Sequence, residues 1–303
     1  MTQNMSMSEI NDIAKKIHGK NRKEFWSIYK AYGETEAVNF YNALLLGDKS
    51  NELLEKSVEN TIFGVNIEQG ALTQFENASR IAPALKSALM PDAHQGYGLP
   101  IGGVLALDNA ISPFGVGVDI GCRICISIFP LKYNDFLMLS PILRNALIKQ
   151  TRFGMGCVFS STDKGGLSQH AIIDSPKWEM FKGVNKLSSL QNTAIYQLGT
   201  SGGGNHFVEW GLVTISDPNL SSDLEVGETY LALLSHSGSR GIGAKIADYY
   251  SKLAMELRPD LDSSVKHLAW FNMDTNEGQE YWEAMNFAGE FAEANHHVIH
   301  ERV

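Results

Sequence analysis

The alternation of apolar and polar positions divides the chain into helical and irregular stretches. GQEYWEAMNFAGEFAEANHHVIHERV, the last segment, carries aromatic residues at helical spacing and predicts a long helix. Trp282, Phe287 and Phe291 fall on its core side and Glu283, Glu290 and Glu293 on a solvated face. Residues 1–60 read as mainly helical. LTQFENASRIA, stopped near Pro83, predicts another helix, as do Asn134 to about Lys149, about Trp178 to Leu198, and a stretch from about Ala244. YLALL, Tyr230–Leu234, is an unbroken apolar run and predicts a buried strand, while GTSGGGNHFVEWG predicts a glycine turn running into a short strand. Residues 91–125, dense in Gly and Pro, predict loops and short strands; 154–176 and SDPNLSSD (216–223) predict further loops. Strands and helices mix irregularly and nothing repeats, so the expected class is α+β, with mixed sheets, flanking helices and long Gly-rich loops.

Length and composition narrow this picture. At 303 residues, with 44% hydrophobic and 19% charged positions, the chain buries a sizeable core as one large domain or two smaller ones. No stretch approaches the roughly 20 apolar residues of a membrane helix, and MTQNMSMSEINDIAKK lacks the apolar core of a secretion signal. Cys122, Cys125 and Cys157 are too few for a disulfide framework, so a reducing, cytoplasmic setting is expected. Cys122 and Cys125 make a CxxC with no second CxxC, which argues against a four-cysteine zinc ribbon.

Charge narrows it further. Against 25 Lys+Arg stand 34 Asp+Glu, a net charge of −9, which opposes a broad nucleic-acid surface but leaves room for a local groove or bound cations. The basic run KKIHGKNRK, Lys15 to Lys23, is either a phosphate-contacting arm or a solvated helix face, and the second reading is preferred.

Chemistry concentrates in the glycine-rich stretches. In GVGVDIGCRI, Asp119 and Cys122 supply a hard oxygen and a soft sulfur three residues apart. His206, after GGGN, and His236, after YLALLS, stand at strand ends beside flexible turns. Together the four make a mixed-ligand metal site, because a thiolate can bridge two cations while a carboxylate and imidazoles fill the remaining positions. The competing reading has Asp119 capping a turn, Cys122 as a small buried residue and each histidine hydrogen-bonded in a core. SHSGSRGIG adds hydroxyl donors and Arg240 just ahead of a helix expected to start near Gly243, an arrangement suited to an anion or simply to a hydrogen-bonded turn. Asp92 and His94 in PDAHQG act as base or ligand, or hold the turns of their loop. His296, His297 and His300 lie on the terminal helix; His296 and His300 have i, i+4 spacing and HxxxH can bind metal, but without a neighbouring Glu in the HExxH pattern they are read as helix surface. GxxxxGK[ST] and GxSxG are both absent.

Five segments, in order, resemble the RtcB family of RNA-splicing ligases. They are MPDAHQGYGLPIGGVLALD (Met90–Asp108), ISPFGVGVDIGC (Ile111–Cys122), LGTSGGGNHFVEW (Leu198–Trp210), HSGSRGIG (His236–Gly243) and AMNFAGEFAEANHHVI (Ala284–Ile299). Each motif alone is modest; the ordered set is specific.

The resemblance implies an RtcB-like catalytic domain over 61–303, after a helical segment over 1–60. It implies a GTP- and manganese-dependent ligase that joins an RNA 3′-phosphate or 2′,3′-cyclic phosphate end to a 5′-hydroxyl end through a guanylylated histidine. By matching position to position, it places Asp119 and His206 on ligands of one Mn2+, His236 on a ligand of a second, and Cys122 on the thiolate bridging both. Asn205, His206, Phe207, Val208 and Glu209 match the guanylate-contacting segment, Arg240 matches an RNA-phosphate-binding arginine, and Asp92 matches an acidic position that supports catalysis. Along an ideal strand His206 and Glu209 face opposite sides, so a bulge or a late strand start is expected if both serve the site. An archease-type activator is a further partner the family suggests.

The sequence departs from the family in one respect. Neither the DxxHN-like context of a further metal-binding histidine nor the HGAGR-like motif of the guanylylated one occurs in these 303 residues. The expectation is therefore an N-terminal fragment or a natural truncation, unable to ligate alone and exposing apolar surface. The alternatives are a non-catalytic RNA- or metal-binding module and a metal-dependent phosphoesterase.

Overall fold

The computed structural model describes residues 5–17, 19–46, 51–163, 166–217, 219 and 224–303. His18 of the basic run and most of the loop at 216–223 lie outside the described residues. The chain has the α+β fold expected, with mixed helices and small open sheets. It divides into two compact units, Met1–Gly117 with Ala247–Glu283, and Val118–Ile246 with Ala284–Val303.

The first unit begins with α1 (Met7–Lys15), α2 (Gly19–Tyr32) and α3 (Glu34–Leu46). Ser6 opens α1 with a capping box, its hydroxyl accepting from the Glu9 amide while the Glu9 carboxylate accepts from the Ser6 amide. Ile10, Ala14, Ile17, Phe25, Ala37 and Tyr41 form the core of this helical segment. After β1 (Glu59–Ile62) and α4 (Gln69–Ala78) come two strands that the glycine count concealed, β2 (Ala84–Tyr97) and β3 (Leu99–Leu107). Where loops and short strands were expected over 91–125, residues 91–107 form most of a long antiparallel hairpin, with β1 parallel to β2 at its edge. Register shifts between Leu89 and His94 and between His94 and Tyr97 absorb the irregular sequence, and Gly98, at φ +82°, turns the chain. β4 (Ala110–Ile111), which pairs with β8 (Phe271–Asn272), and the single-turn α5 (Pro113–Val116) lead to Gly117.

The second unit is built on β5 (Arg123–Phe129), β6 (Phe207–Thr214) and β7 (Thr229–Ser237), all antiparallel with β7 in the centre. The expected buried strand is therefore present and runs on through His236. α6 (Tyr133–Gln150) and α7 (Leu190–Gln197) belong here, with residues 240–246 of α8 (Arg240–Leu257) and residues 284–303 of α9 (Asn276–Arg302). The helix expected over Trp178–Leu198 is a short 3-10 segment at Pro176–Phe181 followed by α7, and α8 starts at Arg240 rather than near Ala244. Val208, Leu233 and Ile299 form a core cluster between the sheet and α9, with Phe129, Leu147 and Trp210 packed against it. Phe287 and Phe291 are fully buried as expected; Trp282, expected in the core, is 44% exposed. No described helix is long and apolar enough to cross a membrane.

Candidate metal centre

The turn before β5 sets the first two groups. The Cys122 amide donates to the Asp119 carbonyl at 3.1 Å, so the carboxylate and the thiol sit on adjacent corners of one tight turn. Gly121 makes this possible: its φ is +74°, and a Cβ there would lie 3.0 Å from the Cα of Gly289. Two residues past Cys122, Ile124 pairs with His236 on β7, and strand alternation then places Cys122 on the His236 side of the sheet. The Cys122 Sγ lies 2.9 Å from His236 Nε2.

His206 immediately precedes β6, whose first residue, Phe207, pairs with His236. The strand thus starts late enough for His206 to escape its alternation. Its Nε2 is 2.7 Å from Asp119 Oδ2 and 3.6 Å from Cys122 Sγ, and its ring meets that of His236 edge-on at 5.3 Å. Glu209, paired with Leu234, shares the His236 face of the sheet. The four groups singled out in the sequence are therefore brought together, from three separate segments.

Hydrogen bonding fixes the histidine tautomer. Arg240 Nη1 lies 2.7 Å from His206 Nδ1, and a guanidinium only donates, so Nδ1 accepts and Nε2 carries the proton it gives to Asp119. Arg240 has a φ of +54°, strained for a side-chain-bearing residue, and its Nε is buried with no partner among the described residues. Two glycines leave room for these groups. A Cβ at Gly202 would fall 1.7 Å from Arg240 Nη2, and one at Gly238 2.3 Å from Asp119 Oδ1.

Burial sets the protonation states. It pushes the Cys122 thiol up to about 11, the Asp119 charge adding to the effect and Arg240 opposing it. It also lowers His206, with Asp119 pulling in the opposite direction. Without a cation, then, Cys122 is a neutral thiol and His206 a neutral imidazole at pH 7.

The remaining sequence candidates are placed as follows. Asn205 is exposed, Phe207 packs edge-on against the His236 ring at 5.6 Å, and Val208 is buried on the opposite face, leaving only its backbone to a ligand. Asp92 belongs to the first unit, exposed in the bulged stretch of β2, with its carbonyl 3.0 Å from His94 Nδ1.

Other residues escaped the sequence reading. His296 and His300, expected on the helix surface, are corrected by the structure: His296 is 1% exposed, and both are hydrogen-bonded to Ser235 Oγ. Only His297 is exposed. Asn295 is fully buried and holds Gly199 N, Thr200 O and Ser237 Oγ, tying α9 to the loop before His206 and to the end of β7. Alternation along SHS was the available signal, since Ser235 and Ser237 must face away from His236.

Comparison with known proteins bears directly on this arrangement. A family model described as tRNA-splicing ligase RtcB matches residues 74–303. The chain belongs to the RtcB family. RtcB relatives include RNA-splicing ligase RtcB homolog 1 of Entamoeba dispar, 29% identical over 96% of this chain and 59% of that protein. RNA-splicing ligase RtcB of Escherichia coli K12 is 33% identical over 79% of the chain and 58% of its own length. For tRNA-splicing ligase RtcB of Thermococcus kodakarensis the figures are 29%, 75% and 53%. The chain thus spans between half and three-fifths of the RtcB proteins it matches.

RtcB membership suggests metal and nucleotide use, and the side chains present suit a divalent transition metal. Cys122, His206 and His236 offer ligand atoms within 4.8 Å of one another, and Asp119 adds a carboxylate oxygen at hydrogen-bond distance from His206. Sulfur and imidazole donors in one cluster favour a softer divalent transition metal over magnesium or calcium.

Proposed function

We propose that this chain serves GTP- and manganese-dependent joining of RNA ends, a 3′-phosphate or 2′,3′-cyclic phosphate to a 5′-hydroxyl, in the cytoplasm. The observation that supports it is the convergence of Asp119, Cys122, His206 and His236 from three segments of an RtcB-family chain. In this reading Asp119 and His206 would hold one Mn2+ and His236 a second, with Cys122 supplying a thiolate to the pair. The bound ions would neutralise phosphate charge and align an in-line displacement.

The chain's own residues do the rest. Cys122 gives up its proton, offsetting part of the cation charge. Arg240 offers its planar guanidinium to an RNA phosphate, which supplies the acceptor that its buried Nε lacks. Asn205 to Glu209 carry the guanylate contact, Asn205 and Glu209 through exposed polar side chains and Val208 through its backbone. Asp92 supports catalysis from the catalytic domain over 61–303, with the helical segment over 1–60 preceding it. The guanylylated histidine has no counterpart motif in these 303 residues, and an archease-type activator is a further partner in this reading.

The test is Mn2+ titration followed by electron paramagnetic resonance, beside incubation with labelled GTP. The 303-residue chain is expected to bind Mn2+, to bind it more weakly as Cys122→Ala, and to acquire no covalent GMP. Mn2+ affinity indifferent to Cys122→Ala would overturn the metal assignment. Covalent GMP on the isolated chain would overturn the placement of the nucleophile.

A further inference from the structure

The sheet of the second unit carries a second polar cluster on its other face. Cys125 pairs with Ser235 one step out of phase with the Ile124–His236 pair, so Cys125, Ser127 and Ser235 point away from the Cys122 cluster. α9 lays His296 and His300, one turn apart, over that face. Ser235 Oγ lies 2.6 Å from His296 Nδ1 and 2.8 Å from His300 Nε2. Cys125, His296 and His300 each offer a ligand atom within 4.8 Å of the others.

The outer atoms are fixed as well. His296 Nε2 lies 3.2 Å from the Ser237 carbonyl, and His300 Nδ1 2.7 Å from Ser127 Oγ. Histidines that bind metal through one ring nitrogen characteristically donate through the other, which fixes ring orientation and tautomer. His296 is already held in that way, and Ser127 Oγ can accept from His300 Nδ1 once that nitrogen carries the proton. Cys125 Sγ has no hydrogen-bond partner among the described residues, so the serine–histidine network by itself leaves the thiol unused.

We infer that Cys125, His296 and His300 form a site for one borderline-soft divalent ion of the Zn2+ class, on the sheet face opposite Cys122. Imidazole and thiolate are both zinc donors, and the fourth position is left to the Ser235 hydroxyl or a water. The set contains no carboxylate, which disfavours the harder Mg2+ and Ca2+ and distinguishes it from the Asp119-containing cluster. Binding releases one proton, from the Cys125 thiol to solvent. The His300 proton moves from Nε2 to Nδ1, where the Ser127 hydroxyl turns from donor to acceptor; His296 already carries its proton on Nε2, against the Ser237 carbonyl. The ion ties β5 to α9, and so braces the strand pair that positions His236.

Cobalt serves as the spectroscopic probe, in the Cys122→Ala chain so that the first cluster contributes no thiolate. That chain is expected to bind Co2+ with a thiolate-to-cobalt charge-transfer band and intense tetrahedral visible bands. Cys122→Ala/Cys125→Ser is expected to lose the charge-transfer band. No such band in Cys122→Ala, or its survival in the double variant, overturns the assignment. A second measurement needs no substitution: Zn2+ should slow iodoacetamide alkylation of Cys125 in the unaltered chain by about tenfold or more, leaving Cys157 unaffected. Equal alkylation of Cys125 with and without Zn2+ overturns it too.

Discussion

Replacing Gly238 by alanine tests the cradle around Asp119. Gly238 follows directly on β7, and a Cβ there would stand 2.3 Å from Asp119 Oδ1, 2.7 Å from its Cγ and 2.8 Å from Oδ2. Ordinary contact begins near 3.4 Å, so the carboxylate must retreat by about 1 Å. The Asp119–His206 contact is 2.7 Å, and that movement takes it past hydrogen-bonding range. Displacing one group of a metal site in this way typically costs 10–100-fold in affinity, or about 1.4–2.8 kcal/mol. Overpacking should lower stability by about 1–3 kcal/mol, so thermal melts must show that the variant is folded. Mn2+ titrations of the unaltered chain, Gly238→Ala and Asp119→Ala then decide the matter. A folded Gly238→Ala that binds Mn2+ as well as the parent refutes the reasoning, as does one that loses Mn2+ while Asp119→Ala keeps it.

Three further outcomes follow from the same geometry. Gly202→Ala, at φ +97° and with its Cβ 1.7 Å from Arg240 Nη2, should expel the guanidinium and weaken binding of a 3′-phosphate RNA as much as Arg240→Ala does, read by filter binding. Burial, with His296 and His297 adding to it, holds His300 down to about 4, below the ordinary 6.5; the unfolded chain therefore takes up more protons between these values, and metal-free stability should fall as pH drops from about 6.5 towards 4. Denaturant midpoints across that range should change less in His300→Gln. Leu137, Met138, Ile142 and Ile148 on α6 are 52–73% exposed and no residue of that helix is buried, so the chain should self-associate, and Met138→Lys/Ile142→Lys should raise the monomer fraction in sedimentation. A clean monomer of the parent with a cooperative melt would contradict this.

Legibility in the sequence was uneven, for physical reasons. The helices at Tyr133–Gln150 and Asn276–Arg302 were readable because the 3.6-residue period survives whatever packs on it. β2 and β3 were not, since glycine and proline mark loops in general but here occupy the bulges and the tip of a hairpin. Asp119, Cys122, His206 and His236 stood out as reactive side chains beside flexible backbone. His296 and His300 were misread because periodicity tells which residues share a face, not what covers that face. Trp282 erred in the opposite direction, an apolar side chain at core spacing left 44% open.

The Arg240–His206 hydrogen bond would make a guanidinium and a bound metal ion rivals for one ring. A histidine that ligates through Nε2 keeps its proton on Nδ1, and a protonated Nδ1 cannot accept from Arg240 Nη1. On the proposed reading, the guanidinium that rests on the imidazole would be set loose towards a phosphate once His206 turned ligand. Order of assembly would then be written into a single proton, the arginine coming free only after the histidine had been claimed.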